Sequence, residues 1–136
     1  MDMSLNAMNW LAVVVAAGVT FLIGGLWYSP LLFARRWMAL NRLGDDDLKQ
    51  GSTAAIFGAA FVFAIIAAVS LAMFLGPAAD LTFGTLAGFL VGATWVATSL
   101  GTTFLFERRP LGLLAIDAGY HVVTFTLMGA ILGAWR

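Results

Sequence analysis

Four stretches of this chain are each long and apolar enough to cross a bilayer as a helix: Asn9 to Tyr28, Thr53 to Leu75, Leu81 to Phe106 and Leu111 to Trp135. At 1.5 Å of rise per residue, about 20 residues cover a hydrocarbon core of ~30 Å. Between the stretches stand Ser29-Pro30, Gly76-Pro77 and Glu107-Arg108-Arg109-Pro110, where proline and charge both oppose a helix continuing in lipid. The alternating segments of about ten residues that build a β-barrel are absent. The expected fold is therefore an all-α integral membrane protein, a single four-helix transmembrane domain over residues 1–136 with spans at about 9–28, 53–75, 81–106 and 111–135. Composition agrees, because 62% hydrophobic and 10% charged residues with a mean hydropathy of +0.96 lie outside the range of soluble domains.

The first stretch does not read as a cleaved leader. It is preceded by Asp2 and no Lys or Arg, and Trp27-Tyr28-Ser29-Pro30 stands where a small-residue cleavage site would belong. Orientation follows from the cations, since short cytoplasmic loops retain Lys and Arg. Arg35, Arg36, Arg42 and Lys49 lie in the first loop and Arg108 and Arg109 in the third, against Arg136 alone on the other side. This places both termini outside. Trp10 and Trp135 mark one interface and Trp27 and Tyr28 the other, at the headgroup depth that amphipathic rings favour. Within the first loop, Phe33, Trp37 and Leu40 recur at helical spacing while Arg35 and Arg42 point away, which predicts a short amphipathic helix at about 31–43 on the cytoplasmic face. Its plain role is an amphipathic connector anchored by arginine. Asp45-Asp46-Asp47 follows, but three consecutive carboxylates do not converge on one cation, and a solvated loop capping the second span is expected.

The third span has two different faces. Gly84, Gly88 and Gly92 repeat every four residues on a stripe continued by Ser99 and Thr103, and Thr94, Thr98 and Thr102 form a hydroxyl stripe roughly opposite. Small residues let a second backbone approach in lipid, where packing has no hydrophobic drive. That neighbour can belong to the same chain or to a second subunit, and a homodimer built on this face is the expected assembly. Gly129 and Gly133 in the fourth span form a shorter surface of the same kind. An internal match also appears, Phe21-Leu22-Ile23-Gly24-Gly25-Leu26-Trp27 against Phe89-Leu90-Val91-Gly92-Ala93-Thr94-Trp95, 68 residues apart. Two-helix halves of the same topology would give such an offset.

The fourth span carries the sharpest feature, Asp117 and His121 one helical turn apart on one face, roughly 9 Å and 15 Å into the apolar slab. An Asp at the centre of a span costs about 2.5 to 3.5 kcal/mol on insertion scales, so such a residue faces the bundle interior or water. The two can form an ion pair, or stay neutral and share a hydrogen bond. Tyr120 and Thr124 extend this polar face, and Thr94 and Thr98 are expected to look onto it from the third span. Two functions stay open. The face can serve as a polar site or pathway for a proton, ion or small solute. Alternatively the chain is a structural or accessory membrane subunit, with polar and glycine faces used for helix packing and assembly.

Other chemistries lack their residues. Seven Lys+Arg balance seven Asp+Glu, so no basic excess exists for nucleic acid. Without Cys there is no disulfide or thiolate site, and a single His cannot supply the roughly four ligands of a zinc centre. No nucleophile elbow, phosphate loop or dinucleotide fingerprint is present, so neither an enzyme nor a cofactor is expected. Asn9-Trp10, Gly25-Leu26-Trp27-Tyr28-Ser29-Pro30, Phe106-Glu107-Arg108-Arg109, Gly119-Tyr120-His121 and Met128-Gly129-Ala130-Ile131-Leu132-Gly133 together resemble an uncharacterised bacterial group, domain of unknown function seventeen sixty-one. The resemblance spans nearly the whole chain and implies a small four-span membrane protein. It carries over no catalytic residue.

Overall fold

The computed structural model describes residues 8–44 and 53–135. Five helices account for nearly all of them: α1 (Trp10–Trp27), α2 (Ala34–Asn41), α3 (Thr53–Leu75), α4 (Leu81–Phe106) and α5 (Leu111–Ala134). No strand occurs among the described residues. All except α2 are long and apolar enough to cross a membrane. Asp45-Asp46-Asp47, Lys49 and Arg136, invoked above for a cap and for orientation, lie outside the described residues.

Local chemistry sets the helix ends. Asn9 caps α1 by accepting from the Ala12 N–H at 3.1 Å, and Asp80 caps α4 by accepting from the Phe83 N–H at 2.8 Å. Asn9 also donates to the Trp135 carbonyl at 3.2 Å, which brings the start of α1 and the end of α5 to one face of the bundle, the terminal face. On the opposite loop face, the Arg109 guanidinium donates to Asn41 Oδ1 at 2.9 Å and covers the Phe104 ring at 4.2 Å. Arg35, Arg36, Arg42, Arg108 and Arg109 all belong to α2 or to the α4–α5 connection on this face. The amphipathic helix is shorter than its pattern at 31–43, because residues after Pro30 are spent on turns closed by Leu32 and Ala34 donating to the Ser29 carbonyl. Arg42 ends it in the left-handed region, φ 58°.

The last helix, α5, is the centre of the molecule and touches each of the other four. Toward the terminal face α1, α3 and α5 close a dry core of Ala12, Val13, Ala16, Ala68, Leu71, Ala72, Leu75, Met128 and Leu132. Against α4 the approach is backbone to backbone. A Cβ on Gly84 would collide with the Gly129 carbonyl oxygen, one on Gly88 with that of Phe125, and one on Gly133 with that of Asp80. At Gly92 it would stand 2.8 Å from the Val122 Cα. The two glycine surfaces therefore pack on each other within one chain, and the homodimer expected on Gly84, Gly88 and Gly92 has no free face there.

One further expectation about α4 fails for a reason of phase. Between Val91 and Val96 the helix widens into a π turn, with the Ala97 N–H bonded back to the Gly92 carbonyl. The extra residue turns everything after it by about 100° relative to a regular helix. Ser99 and Thr103 leave the glycine stripe and are exposed, and Phe104 takes the buried position at 3% exposure. The same turn separates the matched segments in conformation. Trp27 ends a regular helix and is half-buried, whereas its counterpart Trp95 sits in the π turn and is 60% exposed.

Burial along α3 is uneven. Ala64, Ala68, Leu71, Ala72 and Leu75 are buried, but every residue from 53 to 63 is exposed. Phe57 and Phe61 keep contact with Phe21 of α1 at ring-centroid distances of 6.4 and 5.5 Å. The loop-face half of α3 thus meets α1 at these rings, and a cleft opens beside them.

Candidate functional site

At the loop-face end of the bundle, α1 and α5 are joined by polar side chains rather than by small apolar ones. The Tyr28 hydroxyl donates to Asp117 Oδ1 at 2.8 Å, the Trp27 indole N–H to the Ile116 carbonyl at 2.9 Å, and the Tyr120 hydroxyl to the Thr20 carbonyl at 3.1 Å. Two glycines make room for the rings. A Cβ on Gly24 would lie 3.3 Å from Tyr120 Oη, and one on Gly119 would lie 3.1 Å from the Trp27 ring. The amphipathic helix α2 closes the end, with Phe33 on Trp27 (4.9 Å between centroids), Trp37 on Tyr28 (5.6 Å) and Leu40 beside Gly112. A carboxylate that must leave water is thereby given a donor and an aromatic surround.

The polar face anticipated on α5 is divided in the structure. Asp117 turns to Tyr28, and no ion pair or hydrogen bond joins it to His121 among the described residues. Neither state expected for the Asp-His pair is found, because Tyr28 supplies a nearer donor at the same depth. His121 is half-buried, its ring 5.1 Å from that of Tyr120 and 6.5 Å from that of Phe125. Thr124 is buried, and its hydroxyl closes on its own helix at the His121 carbonyl, 3.2 Å away. Thr94 and Thr98 do not face this group. With the glycine stripe against α5, the opposite stripe is exposed, and the two hydroxyls return to the Leu90 and Thr94 carbonyls at 2.6 and 2.7 Å. A hydroxyl satisfied by the carbonyl one turn back can face an apolar medium without a partner.

The residue missed by sequence reasoning is Tyr28, together with Thr20 and Trp27 beside it. Tyr28 resembles any interfacial aromatic when α1 is read by itself. Depth carries the signal: Tyr28 follows the end of α1 and Asp117 stands on the second turn of α5, and both helix ends are at the loop face.

Tyr28 and Tyr120 also bound the cleft beside α3. It has a volume of about 630 Å³, is open on one side, and runs between α1 and the exposed half of α3 past Thr20, Gly25, Phe57 and Ala60. Cavities of ~300–1,000 Å³ with mostly apolar walls and a few polar groups are the usual form of a small-molecule site. The two phenol rings, 5.5 Å apart, form its polar end, and Asp117 stands one hydrogen bond behind Tyr28.

The class that fold and site define is an all-α protein with four helices long and apolar enough to cross a membrane, and with a half-buried acid held between the first and last of them. The chain belongs to the family described as protein of unknown function DUF1761, whose model matches residues 11–133. No curated protein and no solved structure matches it.

Proposed function

We propose that this chain is a small solute-binding protein of the bacterial cytoplasmic membrane, inserted with both termini outside, whose site is the cleft between α1 and α3 in the cytoplasmic leaflet. The observation that carries the reading is a lateral cavity of about 630 Å³ that is apolar along its length and ends on Tyr28 and Tyr120. A solute would enter sideways from the lipid and place its polar end at the phenols. A route across the whole bundle has no such support, since the terminal half is filled by Val13, Ala68, Leu71 and Leu132. The proposed site therefore binds from one leaflet, and His121 and Thr124 lie behind its wall.

The test is retention of radiolabelled dodecyl amphiphiles by the chain in phosphatidylcholine nanodiscs. Gly25 lines the cleft and has nothing within 4 Å of the place its Cβ would take, so Gly25→Leu can project its side chain into the cavity and obstruct it. Saturable retention by the wild type that Gly25→Leu loses supports the site. Equal partitioning into wild type, Gly25→Leu and empty discs rejects it.

The structural reading is favoured by a different observation, that the side-chain hydrogen bonds of Tyr28, Trp27 and Tyr120 all tie α1 to α5. It expects Tyr120→Phe to lower stability and leave amphiphile retention unchanged.

A further inference from the structure

We infer that the molecule this cleft takes is a cationic amphiphile, an alkyl chain or apolar ring system carrying a protonated amine. The inference rests on the cleft being a binding site, and it comes from asking what each polar atom there still has to offer. The Tyr28 hydroxyl gives its proton to Asp117, the Tyr120 hydroxyl to the Thr20 carbonyl, and the Thr20 hydroxyl to the Ala16 carbonyl at 3.3 Å. Their donors are spent within the protein and their oxygen lone pairs remain. The site accepts hydrogen bonds and does not give them, so a head that itself donates is required.

Charge narrows the choice further. Among the described residues no Lys or Arg lines the cleft. Behind Tyr28 stands Asp117, for which no ion pair is found among the described residues. Arg36 lies against Gly112, roughly 7.5 Å of helix rise toward the loop face. A phenol that donates to a carboxylate is a stronger acceptor toward the next donor in the chain. An ammonium at Tyr28 Oη would complete a relay from ammonium to phenol to carboxylate, with the Tyr120 ring beside it, 5.5 Å from that of Tyr28. A carboxylate or phosphate head would meet the same acid and no cation. An alcohol would satisfy the acceptors but lacks a charge for Asp117 to attract. The apolar length of the cavity, past Phe21 and Phe57, takes the hydrocarbon part.

The experiment compares three probes of one chain length, dodecylamine, dodecanol and dodecanoate, for retention by the full chain in phosphatidylcholine nanodiscs at neutral pH. The wild type is expected to hold the amine roughly tenfold more tightly than the alcohol, as a charge-assisted contact implies, and dodecanoate least of all. Asp117→Asn keeps an acceptor for Tyr28 and removes the charge, so the amine preference should vanish while dodecanol retention persists. That retained dodecanol binding shows the variant folded. Equal affinity for amine and alcohol in the wild type overturns the inference and leaves the cleft standing as a site. Retention of all three by Gly25→Leu as by the wild type removes both the ligand class and the site.

Discussion

Tyr28 and Asp117 show how a single contact changes the meaning of an acid within a span. Read along one helix, Asp117 looks to His121 a turn away, because residues four apart share a face. In the folded chain a phenol from α1 reaches it at 2.8 Å, and the imidazole is left among aromatic rings. Hydrogen bonds to charged groups are worth about 1.5 to 3 kcal/mol, and breaking one leaves the buried partner unsatisfied. Tyr28→Phe should therefore lower unfolding free energy in detergent by roughly that amount. Thr98→Val, which removes a hydroxyl bonded only to its own helix and exposed, should stay within about 0.5 kcal/mol of wild type. Equal losses in the two variants would show that the Tyr28 bond contributes nothing particular. Asp117, Tyr120 and Thr124 were legible in the sequence as polar residues at membrane depth. Their partners were not, because contacts such as Tyr28 to Asp117 span 89 residues of chain and no periodicity encodes them.

At the scale of the helix, α4 is governed by backbone distance and by phase. Gly88 faces the Phe125 carbonyl oxygen, backbone that cannot swing aside. Gly88→Leu should cost at least the upper part of the ~1–3 kcal/mol range of overpacking in a detergent melt. It should leave the particle mass unchanged, since the contact is internal to the chain. A loss of mass with an unaltered melt would return this face to a subunit interface. Gly58, with nothing within 4 Å of the place its Cβ would take, supplies the control, and Gly58→Ala should melt within about 1 kcal/mol of wild type. The π turn is testable because the chain has no Cys of its own. A membrane-permeant maleimide should label Thr103→Cys readily and Phe104→Cys slowly, and deleting Ala93 from the turn should preserve that order, because a regular helix one residue shorter keeps Phe104 on the face of Gly92. Gly84, Gly88 and Gly92 announced close packing through their spacing. The Ser99 and Thr103 positions were misread because a spacing rule assumes one helical period throughout, and the inserted residue ends that assumption.

Across the whole molecule the two ends differ in kind. The terminal half is closed by aliphatic side chains that fit without polar help. Leu132, fully buried, should cost about 2–5 kcal/mol when truncated to Ala, as a cavity in a close-packed core does. In the loop half, three side-chain hydrogen bonds and a ring cluster join α1 to α5, and the first half of α3 is left uncovered. A dry half in series with an open one makes a blind cleft, so proteoliposomes of the chain should show no proton or ion flux above empty vesicles. A flux lost in Asp117→Asn would instead revive a pathway through the bundle.

Length and hydropathy alone determined the four long helices and their breaks, since a bilayer-length apolar run bounded by Pro and charge has few other outcomes. Clustering of Arg35, Arg36, Arg42, Arg108 and Arg109 at one end was also readable, because antiparallel spans bring alternate loops to the same face. Only the tertiary structure decided which helices meet. It set the glycines of α4 on those of α5, turned Thr94 and Thr98 outward, and gave Asp117 to Tyr28. The physical reason is that helices uniformly apolar around their circumference carry little pattern to say which side faces a neighbour. In these spans small residues, one π turn and a few hydrogen bonds make that choice.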